Sequence, residues 1–214
     1  MNNKSLMWSG LLVVAGLGCA PGLHAADEPG WYAGAGAGQT NVKKTSSWAQ
    51  LTDATMLVSG FTTNTVIKSN DTAWKLFGGY QFNENFAVEG AYHDFGRFDG
   101  VTVVAAPAST VTGTWKAYAA SVSAVGIYPI VNRFSVFGKI GLAGSRVKAD
   151  VPAPVPYSPS ATRFQPLVGV GVKYDINKAF GLRGEFERFN NVGDGSKTGQ
   201  SPINVWTVSG QYRF

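Results

Sequence analysis

Three ionisable residues near the end of the chain stand at alternate positions, where they could act together. Arg183, Glu185 and Glu187 are each two residues apart, so in an extended segment their side chains share one face. Two carboxylates on one face could serve as a general acid and a general base. Arg183 on the same face instead favours ion pairing, because it supplies the opposite charge. The spacing therefore favours an ion-paired lining over an acid–base site.

Two other features could be mistaken for catalytic or cofactor sites. His93 stands beside Asp94, but a hydrolytic site also needs a nucleophile within hydrogen-bond reach. No His-x-Ser arrangement occurs near a strand end, so a rim or lumen position is the favoured interpretation of His93. The glycine–alanine run 34–38 lacks the spacing of a dinucleotide-binding loop, and small residues there would let a strand curl tightly. No acidic, histidine or cysteine cluster has metal-ligand spacing, so we expect no metal, no cofactor and no enzyme.

The elements that carry these residues alternate with a period of two. In the final segment, 204–214, one face carries Trp206, Val208, Gly210, Tyr212 and Phe214, and the other carries Val205, Thr207, Ser209, Gln211 and Arg213. Such alternation indicates a β-strand. The same pattern recurs in seven other segments, which are 31–42, 73–82, 86–94, 118–128, 134–143, 167–174 and 180–189. The sequence therefore predicts eight strands.

The two faces of these strands differ in charge, which decides what surrounds them. One face is apolar with aromatic residues near the strand ends. The other face carries Lys75, Glu89, Lys139, Lys173, Arg183, Glu185, Glu187 and Arg213. A soluble eight-stranded barrel of the lipocalin type would instead have an apolar interior. A lysine or arginine in mid-bilayer lipid costs about 2–4 kcal/mol, so we expect these charges to line the lumen and to pair with one another.

The connections between the strands alternate in length. Short turns are expected at 83–85, 129–133 and 175–179, and long polar loops at 43–72, 95–117, 144–163 and 190–203. Outer-membrane barrels have short periplasmic turns and longer extracellular loops. The sequence thus predicts an all-β fold, an eight-stranded antiparallel up-and-down transmembrane β-barrel, whose extracellular loops could carry recognition.

The N-terminus and the composition agree with export to a membrane. Residues 1–25 have the pattern of a signal peptide, with Lys4 before an apolar stretch at 6–18, which leaves a barrel domain at 26–214. A lipoprotein alternative at Cys19 is disfavoured by Gly16. Charged residues are only 14% of the chain, and the formal net charge of +5 is not gathered in a basic run. This disfavours nucleic acid and fits anionic lipid or lipopolysaccharide.

Several blocks of the sequence resemble the OmpA-like transmembrane domain family. They are Trp31-Tyr-Ala-Gly-Ala-Gly, Phe77-Gly-Gly-Tyr-Gln-Phe82, Tyr128-Pro-Ile, Phe137-Gly-Lys-Ile-Gly141, Glu187-Arg-Phe-Asn-Asn-Val-Gly-Asp194 and Tyr212-Arg-Phe214. The resemblance implies an eight-stranded outer-membrane barrel. It also implies that the closing strand, with Trp206, Tyr212 and Phe214, is the signal read by the barrel-assembly machinery.

The resemblance further implies a lumenal gate in which a glutamate and an arginine pair across the barrel. Glu89 and Arg183 stand at the matching places, but Lys173 occupies a position where the best-known member has an acidic residue. The sequence ends at Phe214, so we expect no periplasmic peptidoglycan-binding domain. The leading hypothesis is a monomeric structural barrel that supports envelope integrity and displays loops for host or surface ligands. A narrow gated pore is the alternative, followed by a lipid A-modifying or proteolytic barrel enzyme.

Overall fold

A computed structural model of the protein describes residues 29–42, 53–54, 57–58, 63–67, 70–104, 109–131, 133–150, 160–194 and 199–214. Its strands are β1 (Gly30–Val42), β2 (Thr63–Ile67), β3 (Asn70–Asn83), β4 (Phe86–Val104), β5 (Ser109–Val131), β6 (Phe134–Asp150), β7 (Ser160–Asp175), β8 (Phe180–Asp194) and β9 (Gly199–Arg213). Within these residues, no helix has the length and apolar character needed to cross a membrane. The predicted signal peptide, 1–25, lies outside the described residues and stays a prediction.

Eight of the strands close into one antiparallel barrel. Leaving β2 aside, each strand pairs with the strands before and after it in the chain. The first strand, β1, pairs with β3 and also with the last strand, β9, which joins the two ends of the sheet. The pairing of β4 with β5 completes the ring. Strand β2 stands outside it and pairs with the far end of β4. The predicted eight-stranded up-and-down barrel is confirmed.

The two faces of each barrel strand lie in different surroundings. On the outer face Val208 is 69% exposed and Ile140 67% exposed, whereas Thr207 and Ser209 are buried in the lumen. Aromatic pairs mark both edges of this apolar band. At the short-turn end Trp31 packs on Tyr80 and Phe180 on Tyr212, and at the other end Trp74 packs on Tyr92 and Phe186 on Trp206. An apolar band between two aromatic girdles is the exterior of a membrane barrel, which confirms the predicted outward face.

The predicted long loops are shorter in the structure, because the strands continue into them. Most of 95–117 forms the ends of β4 and β5, and β2 lies within 43–72. Strands β6 to β9 likewise extend into 144–163 and 190–203. The polar composition of these segments hid their strand character, although they are rich in the β-branched residues that favour strands, such as Val101-Thr-Val-Val104. The prolines at 152–159 lie outside the described residues.

Beyond the outer aromatic girdle, a β-bulge in each of two strands changes which side chains face the lumen. In β4 the register shifts between Asp94 and Arg97, and Gly96 has a φ of 82°. A Cβ at this glycine would lie 2.5 Å from the Thr72 carbonyl oxygen, so the bulge requires glycine both for its backbone angle and for space. In β8 the register shifts between Phe189 and Val192. Each bulge turns additional apolar side chains into the lumen.

A closed, ion-paired lumen as the candidate functional site

Six charged side chains from four strands meet inside the barrel and form what we call the lumenal network. Its members are Lys75 on β3, Glu89 on β4, Lys139 on β6, and Arg183, Glu185 and Glu187 on β8. Each is at most 5% exposed. Three cations face three carboxylates, so the formal charges balance. All six point inward because they occupy the same face of their strands.

Lys139 and Arg183 connect the acidic residues of the network. The Nζ atom of Lys139 lies 2.7 Å from Oε1 of Glu89 and 3.2 Å from Oε1 of Glu187, and it also contacts Glu185. Arg183 places Nη1 2.6 Å from Oε2 of Glu89 and Nη2 3.5 Å from Oε2 of Glu185. Buried charges are tolerated only when paired in this way.

Lys75 on β3 completes the network. Its Nζ atom lies 3.1 Å from Oε2 of Glu187 and contacts Glu185 as well. Glu185 is therefore shared by Lys75, Lys139 and Arg183. Shared carboxylates couple the six residues, so removing one charge disturbs several partners at once.

Aromatic side chains on the lumenal face hold Arg183 in position. Its guanidinium carbon lies 4.6 Å from the ring centre of Phe77 and 4.4 Å from that of Phe137. Tyr32 donates a hydrogen bond of 3.1 Å to Oε2 of Glu89. Gly79 provides the room, since a Cβ there would lie 2.6 Å from the Tyr32 hydroxyl. Sequence reasoning did not identify these aromatic residues as part of the site, although their place on the charged face was the available signal.

Lys173 and Arg213 do not join the lumenal network. Lys173 pairs with Asp175, with 3.0 Å between Nζ and Oδ2, and Arg213 contacts Gln81 near the short-turn end. Between them and the network lies a cavity of ≈ 20 Å³, whose lining includes Lys173, Gln81 and Arg183. A cavity of this size holds about one water molecule. Six of the eight predicted lumenal charges therefore meet, and two remain near the periplasmic turns.

An apolar cluster, here called the apolar plug, fills the lumen on the other side of the network. Its large members are Phe95, Phe98, Trp115, Leu167, Phe189 and Ile203, each at most 4% exposed. The rings of Phe95 and Phe189 pack with 4.8 Å between their centres. Sequence reasoning missed the plug because most of these residues lie in segments interpreted as polar loops. The large apolar residues at the ends of those segments were the signal.

His93 lies between the plug and the network in an arrangement that resembles a catalytic triad. Its Nε2 atom is 3.1 Å from Oγ of Ser121, and its Nδ1 atom is 3.8 Å from Oε2 of Glu187. The serine is only 7% exposed and the histidine 2%, and Phe95 and Phe189 pack against the histidine ring. A substrate would need to reach the serine, so the geometry supports packing and hydrogen bonding here. Among the described residues, no group of three or more potential ligands could hold a metal.

Comparisons with known proteins agree with this architecture. The family model described as OmpA-like transmembrane domain matches residues 25–214. Outer membrane protein A of Shigella flexneri is 27% identical over 187 residues, covering 86% of this chain and 48% of that protein. The Serratia marcescens protein of the same name is 28% identical over 213 residues, covering 95% and 55%. The chain thus spans about half the length of the curated relatives it matches.

Solved outer-membrane proteins share the fold at lower sequence identity. Ail of Yersinia pestis, solved with a heparin analogue, has a TM-score of 0.55 and 18% identity, covering 87% of this chain and 99% of its own. Neisserial surface protein A has a TM-score of 0.58 and 13% identity, covering 88% and 100%. Together with the closed barrel and its apolar exterior, the family match shows that this chain belongs to the OmpA-like transmembrane domain family and lies in the bacterial outer membrane.

Proposed function

We propose that this protein is a structural barrel that supports envelope integrity and presents its extracellular strand ends to the surroundings. The observation that carries the proposal is the filled lumen. The lumenal network occupies the middle of the barrel, and the apolar plug occupies the extracellular side. The cavity on the periplasmic side of the network measures only ≈ 20 Å³, which suits a structural barrel better than a pore.

The alternative of a narrow gated pore has less support from this geometry. Eight strands leave room mainly for the side chains that line them. Conduction would require the Glu89–Arg183 pair to separate and the packed rings of Phe95 and Phe189 to move apart as well. Of the two roles predicted for Glu89 and Arg183, the geometry favours the structural lining over the gate.

A surface-interaction role is the second part of the proposal. Strands β4 and β5 continue far beyond the outer aromatic girdle, and β2 pairs with the end of β4, so that a small sheet extends from the barrel. Extended, variable surface segments on a rigid scaffold commonly carry recognition. Ail, a protein of the same fold, binds a heparin analogue in its crystal structure. We propose a comparable surface role for this projecting sheet.

We further propose that the outward aromatic residues of β9 serve as an assembly signal. The assembled barrel is proposed to be a monomer. Trp206 is 63% exposed, Tyr212 41% and Phe214 77%. All three face away from the lumen, where the assembly machinery could read them before lipid surrounds the strand. Their rings also belong to the girdles, since Tyr212 packs on both Phe180 and Phe214.

A deletion strain tests the proposed function. Loss of the gene is expected to raise sensitivity to detergents and bile salts, because the envelope loses an anchored barrel, and the wild-type gene on a plasmid should restore resistance. A plasmid gene that carries Phe214→Ala should restore less resistance and deliver less folded protein to the outer membrane. Trp31→Ala, which removes a girdle aromatic outside β9, is the matched control and should restore resistance fully. Unchanged sensitivity in the deletion strain would contradict the envelope role.

A further inference from the structure

Four basic side chains form a patch on the outside of the barrel, across three neighbouring strands. This basic patch consists of Arg97 on β4, Lys116 on β5, and Arg146 and Lys148 on β6, all exposed. Arg97 stands directly opposite Lys116, and Lys116 stands directly opposite Lys148. Their neighbours on the other face, such as Trp115, are buried in the lumen, so the basic side chains point away from the barrel.

The acidic residues around the patch have other partners or lie in the next row of the sheet. Like charges directly opposite each other destabilise a sheet, and within the described residues no ion pair is recorded for any of the four. Asp71 and Asp94 instead accept hydrogen bonds from the backbone of the β4 bulge, at 2.5 Å from Arg97 N and 2.8 Å from Gly96 N. Asp99 and Asp150 both lie opposite Thr114, one row farther from the membrane. A row of cations at this place is best explained by an anion outside the chain.

The depth of the patch matches that of lipid headgroups. Tyr92 and Tyr118 stack in the extracellular aromatic girdle with 6.5 Å between their ring centres. Arg146 stands directly opposite Tyr118, and the row of Arg97, Lys116 and Lys148 lies immediately beyond it. Aromatic girdles mark the boundary between the hydrocarbon and the headgroups. The patch therefore faces sideways into the headgroup layer of the outer leaflet.

The opposite wall of the barrel carries less positive charge at the same depth, where Arg188 stands directly opposite Asn204. There the outward-facing side chains beyond the girdle are largely amides, namely Gln39, Asn41, Asn70 and Asn204. Asn41 and Asn70 hydrogen-bond to each other at 2.7 Å. The positive charge is thus concentrated on one wall, which indicates a localised site and not a general basic belt.

We propose that the basic patch binds the phosphate groups of the outer-leaflet glycolipid, lipopolysaccharide. The inference rests on the proposed outer-membrane role and identifies the surface that would contact this lipid. Neighbouring strands lie about 4.8 Å apart, so the three-strand row spans roughly 10 Å. The arginines can bind phosphate oxygens in a bidentate manner, and the lysines act as point charges beside them. A soluble polyanion such as heparin fits less well, because the patch faces along the membrane plane.

Binding of purified lipid A to the folded barrel tests this assignment. Wild-type protein in neutral detergent is titrated with bisphosphorylated lipid A and with its dephosphorylated form, and complexes are counted by native mass spectrometry. The triple variant Arg97→Gln, Lys116→Gln, Lys148→Gln removes the row. Arg188→Gln is the matched control, since this outward arginine on β8 bonds Asn190 at 3.0 Å and lies outside the patch. Heat-modifiable gel mobility verifies that each variant is a folded barrel.

The triple variant is expected to bind lipid A at least tenfold more weakly than wild type, because it loses several phosphate contacts. A tenfold loss of affinity corresponds to about 1.4 kcal/mol. The control should bind like wild type, and wild type should bind dephosphorylated lipid A at least tenfold more weakly. Equal binding by the triple variant and wild type would overturn the assignment. So would equal binding of both lipid forms by the wild-type protein. None of these outcomes would affect the detergent-sensitivity test, so the two proposals can fail separately.

Discussion

Replacing Arg183 with methionine is expected to destabilise the barrel by about 3–5 kcal/mol, the usual cost of removing one partner from a buried ion pair. Arg183 is 4% exposed and contacts both Glu89 and Glu185. Its loss leaves three carboxylates facing two lysines in a site that water scarcely reaches. The free energy of unfolding is measured by urea titration in lipid vesicles, followed by tryptophan fluorescence.

Two further variants separate the charge from the packing of Arg183. Adding Glu89→Gln to Arg183→Met restores the balance of charges, so the double variant should recover much of the lost stability. Lys173→Met removes a lumenal cation whose partner Asp175 is partly exposed, and it should cost clearly less than Arg183→Met. If the double variant were less stable than Arg183→Met alone, the charge-balance explanation of the network would be wrong.

Truncation of Phe189 to alanine is expected to cost about 3–5 kcal/mol, as for other buried phenylalanines that leave a cavity. Phe189 is fully buried in the apolar plug. Its ring packs 4.8 Å from that of Phe95 and 4.9 Å from that of His93. The urea titration described for Arg183 gives the change in the free energy of unfolding.

Phe164→Ala is the matched control for this prediction. Phe164 is 79% exposed on the outside of β7, so its truncation leaves no lumenal cavity and should cost much less. Equal losses for the two phenylalanines would show that the plug contributes no more to stability than the outer surface does.

The charged face of the strands could be predicted from the sequence because a period of two survives in every barrel strand up to the outer girdle. Lys75, Glu89 and Lys139 could be assigned to the lumen by that alternation and by the cost of placing a charge in lipid. Which partner each charge takes could not be predicted. Cross-barrel partners depend on the stagger of the strands, and a single sequence does not fix it. Lys173, for example, pairs with its near neighbour Asp175.

The apolar plug could not be predicted for a different reason. The bulges at Gly96 and at Asn191 change the phase of β4 and β8, so that Phe95 and Phe98, three residues apart, are both buried. A strict alternation would place them on opposite faces. The polar residues of the same segments also favoured loops over strands.

Planar-bilayer recording of the purified wild-type barrel tests the central claim most directly, because the claim is that side chains fill the lumen. The lumenal network and the apolar plug predict no stable conductance steps above the bilayer baseline. Long-lived open channels in the wild-type protein, with a conductance that changes on Glu89→Gln, would contradict the filled lumen and would establish the gated pore in its place.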